Sequence, residues 1–303
     1  MKLEGLVNNM LGKPSYVADF ETITREGQEV VWLFDMCNIV NNEHYTGYSM
    51  HEFIEYIDNL NYGSAIYFHN LKFDGSFIVD YLIKNGYECN NVETRKLRKF
   101  QFNTLVTEFG AFFKLTYRNK KGRFIDIYDS LKLLPLSVKK LAKDFNLPMS
   151  KGEIDYNKPR PEGYRPSVQE LEYVHNDTEI VARCLRIFLN EGYDKMTISS
   201  CAFSDYKRII GQDKYNNWFG SWSRACDIEL DMDIRKAYRG GFCQCNNDYI
   251  GITIKRPVWY NDVNSLYPYV MSTAYLPYGE PFKFMREYQQ DDEYPYYIQK
   301  IQV

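Results

Sequence analysis

The sequence contains no cysteine pair at Cys-x-x-Cys spacing, and its total of seven cysteines is odd. Only Cys243-x-Cys245 comes close. That usage argues against a disulfide framework or a structural zinc site and implies free thiols in a reducing compartment. Histidine is scarce, four in 303 residues, and the four are not spaced for metal binding. No apolar run reaches membrane-spanning length, and Met1–Gly12 lacks the charged-then-apolar pattern of a secretory signal. The expectation is therefore a soluble, cytosolic protein with no membrane partner. Internal repeats and low-complexity tracts are absent. An excess of positive charge is also missing: the formal net charge is −3, not the balance of a generic nucleic-acid-binding domain. What is present is an ordinary globular composition, 45% hydrophobic, in a chain long enough for a substantial core and about two domains.

The charge is unevenly spread. Between Thr94 and Lys151 there are 14 lysines and arginines against 4 acids. A block of this kind is often a solvated face. Beside a metal-holding acid site it reads better as a track for phosphates, with affinity that falls as salt rises. Phe100, Phe102, Phe112, Phe113 and Tyr117 are interleaved with it. Some belong to a core, and one or two are suited to stacking on bases.

Three short segments carry acids in arrangements suited to metal. In Tyr16-Val17-Ala18-Asp19-Phe20-Glu21-Thr22 the Tyr-Val start favours a strand, on which Asp19 and Glu21 share one face. Paired carboxylates on a rigid element hold hard divalent ions such as magnesium or manganese. The apolar run Ala65–Phe68 ends in His69-Asn70-Leu71-Lys72-Phe73-Asp74-Gly75, and a helix is expected over Ser76–Lys84, stopped by Asn85-Gly86. Asp74 then sits near a helix start, where a carboxylate is favoured. In the third segment a long helix is expected from Ser167 to Asn190, opened by a capping box of Ser167 and Glu170. Tyr173 and Asp177 are four apart on it and share a face, whereas His175 points elsewhere.

Taken singly, each acid has a plainer reading: a solvated strand edge, a helix cap, a surface acid. Their order and spacing together resemble the three exonuclease motifs of the DEDD nuclease superfamily, in the branch with tyrosine at the position of Tyr173. The resemblance implies a ribonuclease H-like α/β fold and 3′→5′ removal of nucleotides from single-stranded DNA ends. It implies that Asp19, Glu21, Asp74 and Asp177 ligate two magnesium or manganese ions and that Tyr173 orients the attacking water.

A second set of motifs lies downstream. Asp262-Val263-Asn264-Ser265-Leu266-Tyr267-Pro268 looks like the first catalytic motif of family B DNA polymerases, and Tyr238-Arg239-Gly240-Gly241 like the motif that joins exonuclease and polymerase regions. The glycines suit close approach of backbone to phosphate. The match is closer still to the protein-primed DNA polymerases of small tailed phages. Tyr67–Gly75 and Tyr128-Asp129-Ser130-Leu131-Lys132 resemble that subgroup, as do Lys151-Gly152-Glu153-Ile154-Asp155-Tyr156 and Leu276-Pro277-Tyr278-Gly279-Glu280-Pro281. The resemblance implies DNA contacts from Thr22, His69, Asn70, Phe73, Ser130, Leu131, Tyr238, Gly240 and Gly241. It further implies nucleotide contacts from Ser265, Leu266 and Tyr267, metal binding by Asp262, and support of exonuclease catalysis by Lys151. A terminal protein that primes synthesis is the implied partner, and the cytoplasm of an infected bacterial host the implied location.

The organisation expected is an α/β domain over about residues 1–195 with a mixed sheet, a connecting region over 196–235, and a partial α+β palm over 236–303 that includes the start of the insertion contacting the terminal protein. Further helices are expected at Met50–Asn59 and Val138–Asn146, Pro159–Gly163 should be a loop, and the metal site should lie at one edge of the sheet. Tyr296–Val303 alternates like the middle of a strand. Family members continue for nearly as long again, and the motif that supplies the second polymerase carboxylate is not found. Polymerisation is accordingly not expected from this polypeptide by itself. The leading reading is the N-terminal portion of a protein-primed polymerase, truncated or completed by a second polypeptide. Behind it stand a separate 3′→5′ exonuclease and a non-enzymatic fragment that binds DNA or replication proteins. The aromatic surface of residues 250–303, including Trp259, Tyr260 and Tyr269, predicts self-association or a partner chain.

Overall fold

The computed structural model describes residues 14–60, 63–220, 227–238, 240, 243–276, 292–293 and 297–298. Gly241, the Pro277–Pro281 part of the stretch after the first polymerase motif, and most of Tyr296–Val303 lie outside the described residues.

Strand β1 (Ser15–Arg25) turns tightly through Glu26 and Gly27, both at positive φ, into the antiparallel β2 (Gln28–Asn38). Two positive-φ residues give a turn whose twist matches the flanking strands. Then follow β3 (His44–Gly47), α1 (Met50–Asn59), β4 (Ser64–Phe68), α2 (Leu71–Lys84) and β5 (Glu88–Cys89). The unit continues with β6 (Gln101–Val106), β7 (Phe112–Arg118), β8 (Phe124–Asp129), α3 (Val138–Asp144) and α4 (Val168–Asn190). The eight strands form one mixed sheet in the order β3-β2-β1-β4-β8-β7-β6-β5. The β1–β4, β4–β8 and β5–β6 pairs are parallel.

Helices cover both faces. On one, Ala18, Phe20, Phe34, Ile66 and Phe68 pack against Phe53 and Ile57 of α1 and Leu71, Ile78 and Leu82 of α2. On the other, Val17, Cys37, Ala65 and Tyr67 pack against Leu141 of α3 and Ile180, Val181, Cys184 and Leu185 of α4. The period of two along β1 thus sends Ala18 and Phe20 to the first face and Val17 to the second, with Asp19 and Glu21 in phase with Val17. The hydrophobic burial on both faces is the main stabilising contribution, about 1.5–3 kcal/mol for each large side chain taken out of water.

Several expected elements hold. The 50–59 helix has the expected limits, and α4 carries the Ser167–Glu170 capping box. The Pro159–Gly163 stretch is a loop. Others need correction. The helix expected from Ser76 begins five residues earlier, at Leu71, because Asn70 takes a left-handed conformation (φ 89°) and turns the chain directly off the end of β4. Leu71 is then buried in the core, and Asp74 falls in the first turn. The helix expected to end at Asn146 ends at Asp144, since Asn146 has positive φ. The acids are not at the sheet edge: β1 is the third strand, flanked by β2 and β4. It pairs with β4 only over Ser15–Val17, so beyond Val17 that flank of β1 is free.

The chain divides into two compact units, residues 1–204 and 205–303. The described part of the region read as a connection over 196–235 is largely helical: α5 (Ile198–Ile210), which spans the boundary between the units, α6 (Gln212–Phe219) and α7 (Ile228–Ala237). The second unit also has α8 (Leu266–Thr273). Among the described residues, no helix is long and apolar enough to cross a membrane.

Candidate metal and nucleic-acid site

The free flank of β1 faces a cleft of about 390 Å³, lined by Asp19, Glu21, Thr22, His69, Phe73, Lys151, Tyr156, Tyr173 and Asp177 among others. Residues distant in sequence meet there because α4 crosses the face of β1 that carries Val17, Asp19 and Glu21. Tyr173, Asp177 and Val181, at intervals of four, present one side of α4 to it. Asp74, in the first turn of α2, is buried close enough to the cleft acids for the charges of Asp19 and Glu21 to act on it.

The electrostatics are those of acids crowded out of water. Burial, reinforced by the charge of Asp177, pushes Asp19 up to about 7. Burial with Asp19 and then Asp177 pushes Glu21 up to about 8. Asp74 is raised by burial and by Asp19, and Asp177 by burial. The ammonium of Lys151 opposes the rise at Asp177, to whose Oδ2 it donates a hydrogen bond. Lys151 itself is raised despite burial, by that same bond and by the charges of Asp177 and Asp19. The raised values show that the four crowded carboxyls favour added positive charge, which a proton or a divalent cation can supply. Two buried oxygens, Oδ1 of Asp74 and Oδ1 of Asp177, have no hydrogen-bond partner among the described residues. A buried oxygen without a donor is costly, and a divalent cation is the group that the donor set fits.

Tyr173 is buried, and its hydroxyl lies 3.0 Å from that of Tyr156. Burial and this hydrogen bond raise its pKa, so it is a neutral hydroxyl at all working pH. The ammonium of Lys151 stands 5.1 Å from the Tyr173 ring centroid. The loop that delivers Lys151 and Tyr156 is anchored by Arg160, which is buried and donates through Nε (3.0 Å) and Nη2 (2.8 Å) to Glu170 Oε1. The Arg160 guanidinium also lies 4.6 Å from the Trp32 ring. Against burial, hydrogen bonds from Tyr164, Ser167 and Arg160 hold Glu170 down at about 2.

The residues expected to touch a strand end are arranged in stages. Thr22, His69 and Phe73 line the cleft, and Phe73 is 45% exposed, available for stacking. Asn70 is exposed at the start of α2. Ser130 is buried and donates to the Phe68 carbonyl (3.0 Å), which makes it a support rather than a free contact in this arrangement. His69 Nε2–H donates to the Leu136 carbonyl (2.7 Å), and burial lowers its pKa, keeping it neutral. Sequence reasoning missed Asp129, a buried carboxylate that accepts from the backbone N–H of Asn70 and of Leu131, each at 3.0 Å, and so ties the two expected DNA-contact segments together. Its place between Tyr128 and Ser130 was the only signal. Tyr156 was likewise visible only as the end of a motif. Of the interleaved aromatics, Phe102 and Tyr117 belong to the core and Phe100 is 45% exposed.

The polymerase-like residues occupy the second unit. Tyr238 is 83% exposed at the end of α7, and Gly240 is exposed in the following segment. Asp262 is exposed ahead of α8. Ser265 caps that helix in a left-handed conformation, and Leu266 and Tyr267 are exposed on its first turn.

The histidine spacing misled. The fold brings His44 of β3 and His175 of α4 together at Asp35 of β2, with ligand atoms all within 4.8 Å of one another. A gap of 131 positions gives no local signal.

The family model for DNA polymerases of type B, organellar and viral, matches residues 58–166 and 153–303. The chain belongs to that family. It is 40% identical over 296 residues to the DNA polymerase of Bacillus phage Nf, covering 96% of this chain and 50% of that protein. With the DNA polymerase of Bacillus phage phi29 it shares 39% over 291 residues. The solved phi29 polymerase in complex with primer-template DNA and incoming nucleotides superposes with a TM-score of 0.79 at 35% identity, covering 93% of this chain and 48% of that one. The same enzyme in complex with single-stranded DNA also gives 0.79. The chain thus spans about half the length of the curated relatives it matches. The resemblance to phage family B polymerases read from the motifs is borne out, and so is the mixed α/β fold.

Proposed function

We propose that the first unit is the 3′→5′ proofreading exonuclease of a protein-primed phage DNA polymerase, with a ribonuclease H-like fold. The observation that carries the reading is the pair of partnerless buried oxygens on Asp74 and Asp177 beside Asp19 and Glu21. Two divalent ions, magnesium or manganese, would be held by Asp19, Glu21, Asp74 and Asp177 and would supply activation of water and neutralisation of the departing oxygen. The protein's own residues do the rest. The Tyr173 hydroxyl, fixed against Tyr156, orients the attacking water. Lys151 keeps Asp177 ionised and in place. Phe73 stacks on a terminal base, while Thr22, His69, Asn70 and Leu131 hold the last nucleotides, with Asp129 and Ser130 setting the backbone beneath them. The phosphodiester bond to the 3′ oxygen of the preceding sugar breaks as water adds to phosphorus, releasing a nucleoside 5′-monophosphate.

For the second unit, residues 236–303 are read as the start of a palm. Asp262 is its single polymerase metal ligand, Ser265, Leu266 and Tyr267 its nucleotide contacts, and Tyr238, Gly240 and Gly241 its primer-template contacts. Polymerisation requires a pair of metal-holding carboxylates, of which Asp262 would be one. A terminal protein is the proposed primer, and the cytoplasm of an infected bacterium the proposed setting.

Linear and circular single-stranded DNA distinguish this reading from others. With magnesium, the protein should release 5′-mononucleotides from the linear form and leave the circle intact. Cleavage of the circle would make it an endonuclease, and no degradation of either would remove the nuclease reading.

A further inference from the structure

A second cluster of ligand-type side chains lies outside the acid set, where β2, β3 and α4 meet. Asp35 is completely buried, and among the described residues its hydrogen-bond and ion-pair partners are His44, His175, Thr46 and Thr178. Its Oδ2 is 2.7 Å from His44 Nδ1, and its Oδ1 is 3.4 Å from His175 Nε2. The two imidazole centroids are 4.5 Å apart. Tetrahedral coordination at the usual zinc–nitrogen and zinc–oxygen lengths places ligand atoms about 3.3 Å apart; the two contacts lie either side of that value on different carboxylate oxygens, and one ligand atom from each residue lies within 4.8 Å of the others. His175 Nε2 also lies 2.9 Å from Thr46 Oγ1, a contact that metal binding there would replace.

The surroundings are those of an oriented metal site. Thr46 Oγ1 (3.0 Å) and Thr178 Oγ1 donate to Asp35, fixing the carboxylate. The far nitrogen of His44, Nε2, lies 3.6 Å from Glu179 Oε2, the carboxylate–histidine relationship that orients metal-bound imidazoles. The side chains of His44 and His175 are 18% and 35% exposed, so one side is open to water as a fourth ligand. Two imidazoles and a carboxylate select a borderline transition ion, whereas the all-oxygen acid set selects magnesium or manganese.

We propose that Asp35, His44 and His175 form a separate binding site for one divalent transition ion of the zinc, cobalt and nickel class. Binding there clamps the β2–β3 edge to α4, the helix that carries Tyr173 and Asp177. The site is structural: it stabilises the placement of α4 and takes no part in cleavage.

The test uses the untagged full chain, stripped of metal and titrated with cobalt(II), alongside equilibrium dialysis against zinc. The wild type should bind one cobalt with the intense visible absorption of tetrahedral coordination. The His44→Gln/His175→Gln variant should lose that band and one equivalent of zinc. The Asp19→Asn/Asp177→Asn variant should keep both. His175→Gln alone, at a half-exposed position and verified as folded by circular dichroism, should weaken zinc binding about tenfold or more. The proposal is overturned if the wild type shows no tetrahedral band, if the band survives in the histidine variants, or if it disappears with the acid variant instead.

Discussion

Replacing Asp19 by asparagine should make the metal-free protein more stable while abolishing its proposed nuclease activity. Asp19 is raised from an ordinary 3.8 to about 7, by burial first and Asp177 second. A carboxyl whose folded pKa is raised leaves the native state holding more protons than the unfolded one, so stability falls as pH rises. The loss begins near 3.8 and is complete above about 7, where three pKa units correspond to about 4 kcal/mol at most. Asparagine keeps the shape and removes the charge, and it also relieves Glu21, for which Asp19 is the leading charged neighbour. Thermal unfolding in EDTA should show Asp19→Asn melting roughly 5–10 °C above wild type at pH 8, with the gap narrowing toward pH 5. Magnesium at pH 8 should raise the wild-type Tm and leave the variant little changed. An Asp19→Asn protein that melts below wild type at pH 8 in EDTA would refute the view that Asp19 is held charged against its environment.

Four further outcomes are expected. Glu170→Ala leaves Arg160 buried and unpaired and should cost about 3–5 kcal/mol, measured by denaturant unfolding, whereas Arg160→Met/Glu170→Leu should cost less. Because Glu170 is lowered to about 2, its contribution is full above about 4.5 and is lost as pH falls toward 2, which a pH series of Tm values will show. Lys151→Met should reduce single-strand cleavage about a hundredfold and shift its pH–rate profile upward, since Asp177 loses the cation that opposes its raised pKa. Phe73→Ala should weaken binding to single-stranded DNA by about 1–3 kcal/mol in fluorescence anisotropy without changing thermal stability.

Local chemistry made much of the first unit legible. The alternation around Asp19 and Glu21 fixed β1 and its faces, and the Ser167–Glu170 box marked the start of α4. What the sequence hid was set by long-range geometry. The position of β1 inside the sheet depends on β4 pairing with it for only three residues, which no local pattern encodes. The early start of α2 depends on a left-handed asparagine, a conformation that asparagine tolerates but does not announce. Asp129 and Tyr156 act through partners 59 and 17 positions away, and the Asp35–His44–His175 cluster spans three elements. In the second unit the motifs carried the reading, and among the described residues Asp262, Leu266 and Tyr267 are exposed.

Degradation of a 5′-labelled single-stranded oligonucleotide in magnesium, wild type against Asp19→Ala/Glu21→Ala, tests the central claim most directly. A ladder that shortens from the 3′ end and vanishes in the variant is the predicted result. Absence of metal-dependent degradation, or a ladder unchanged by the two substitutions, would contradict it.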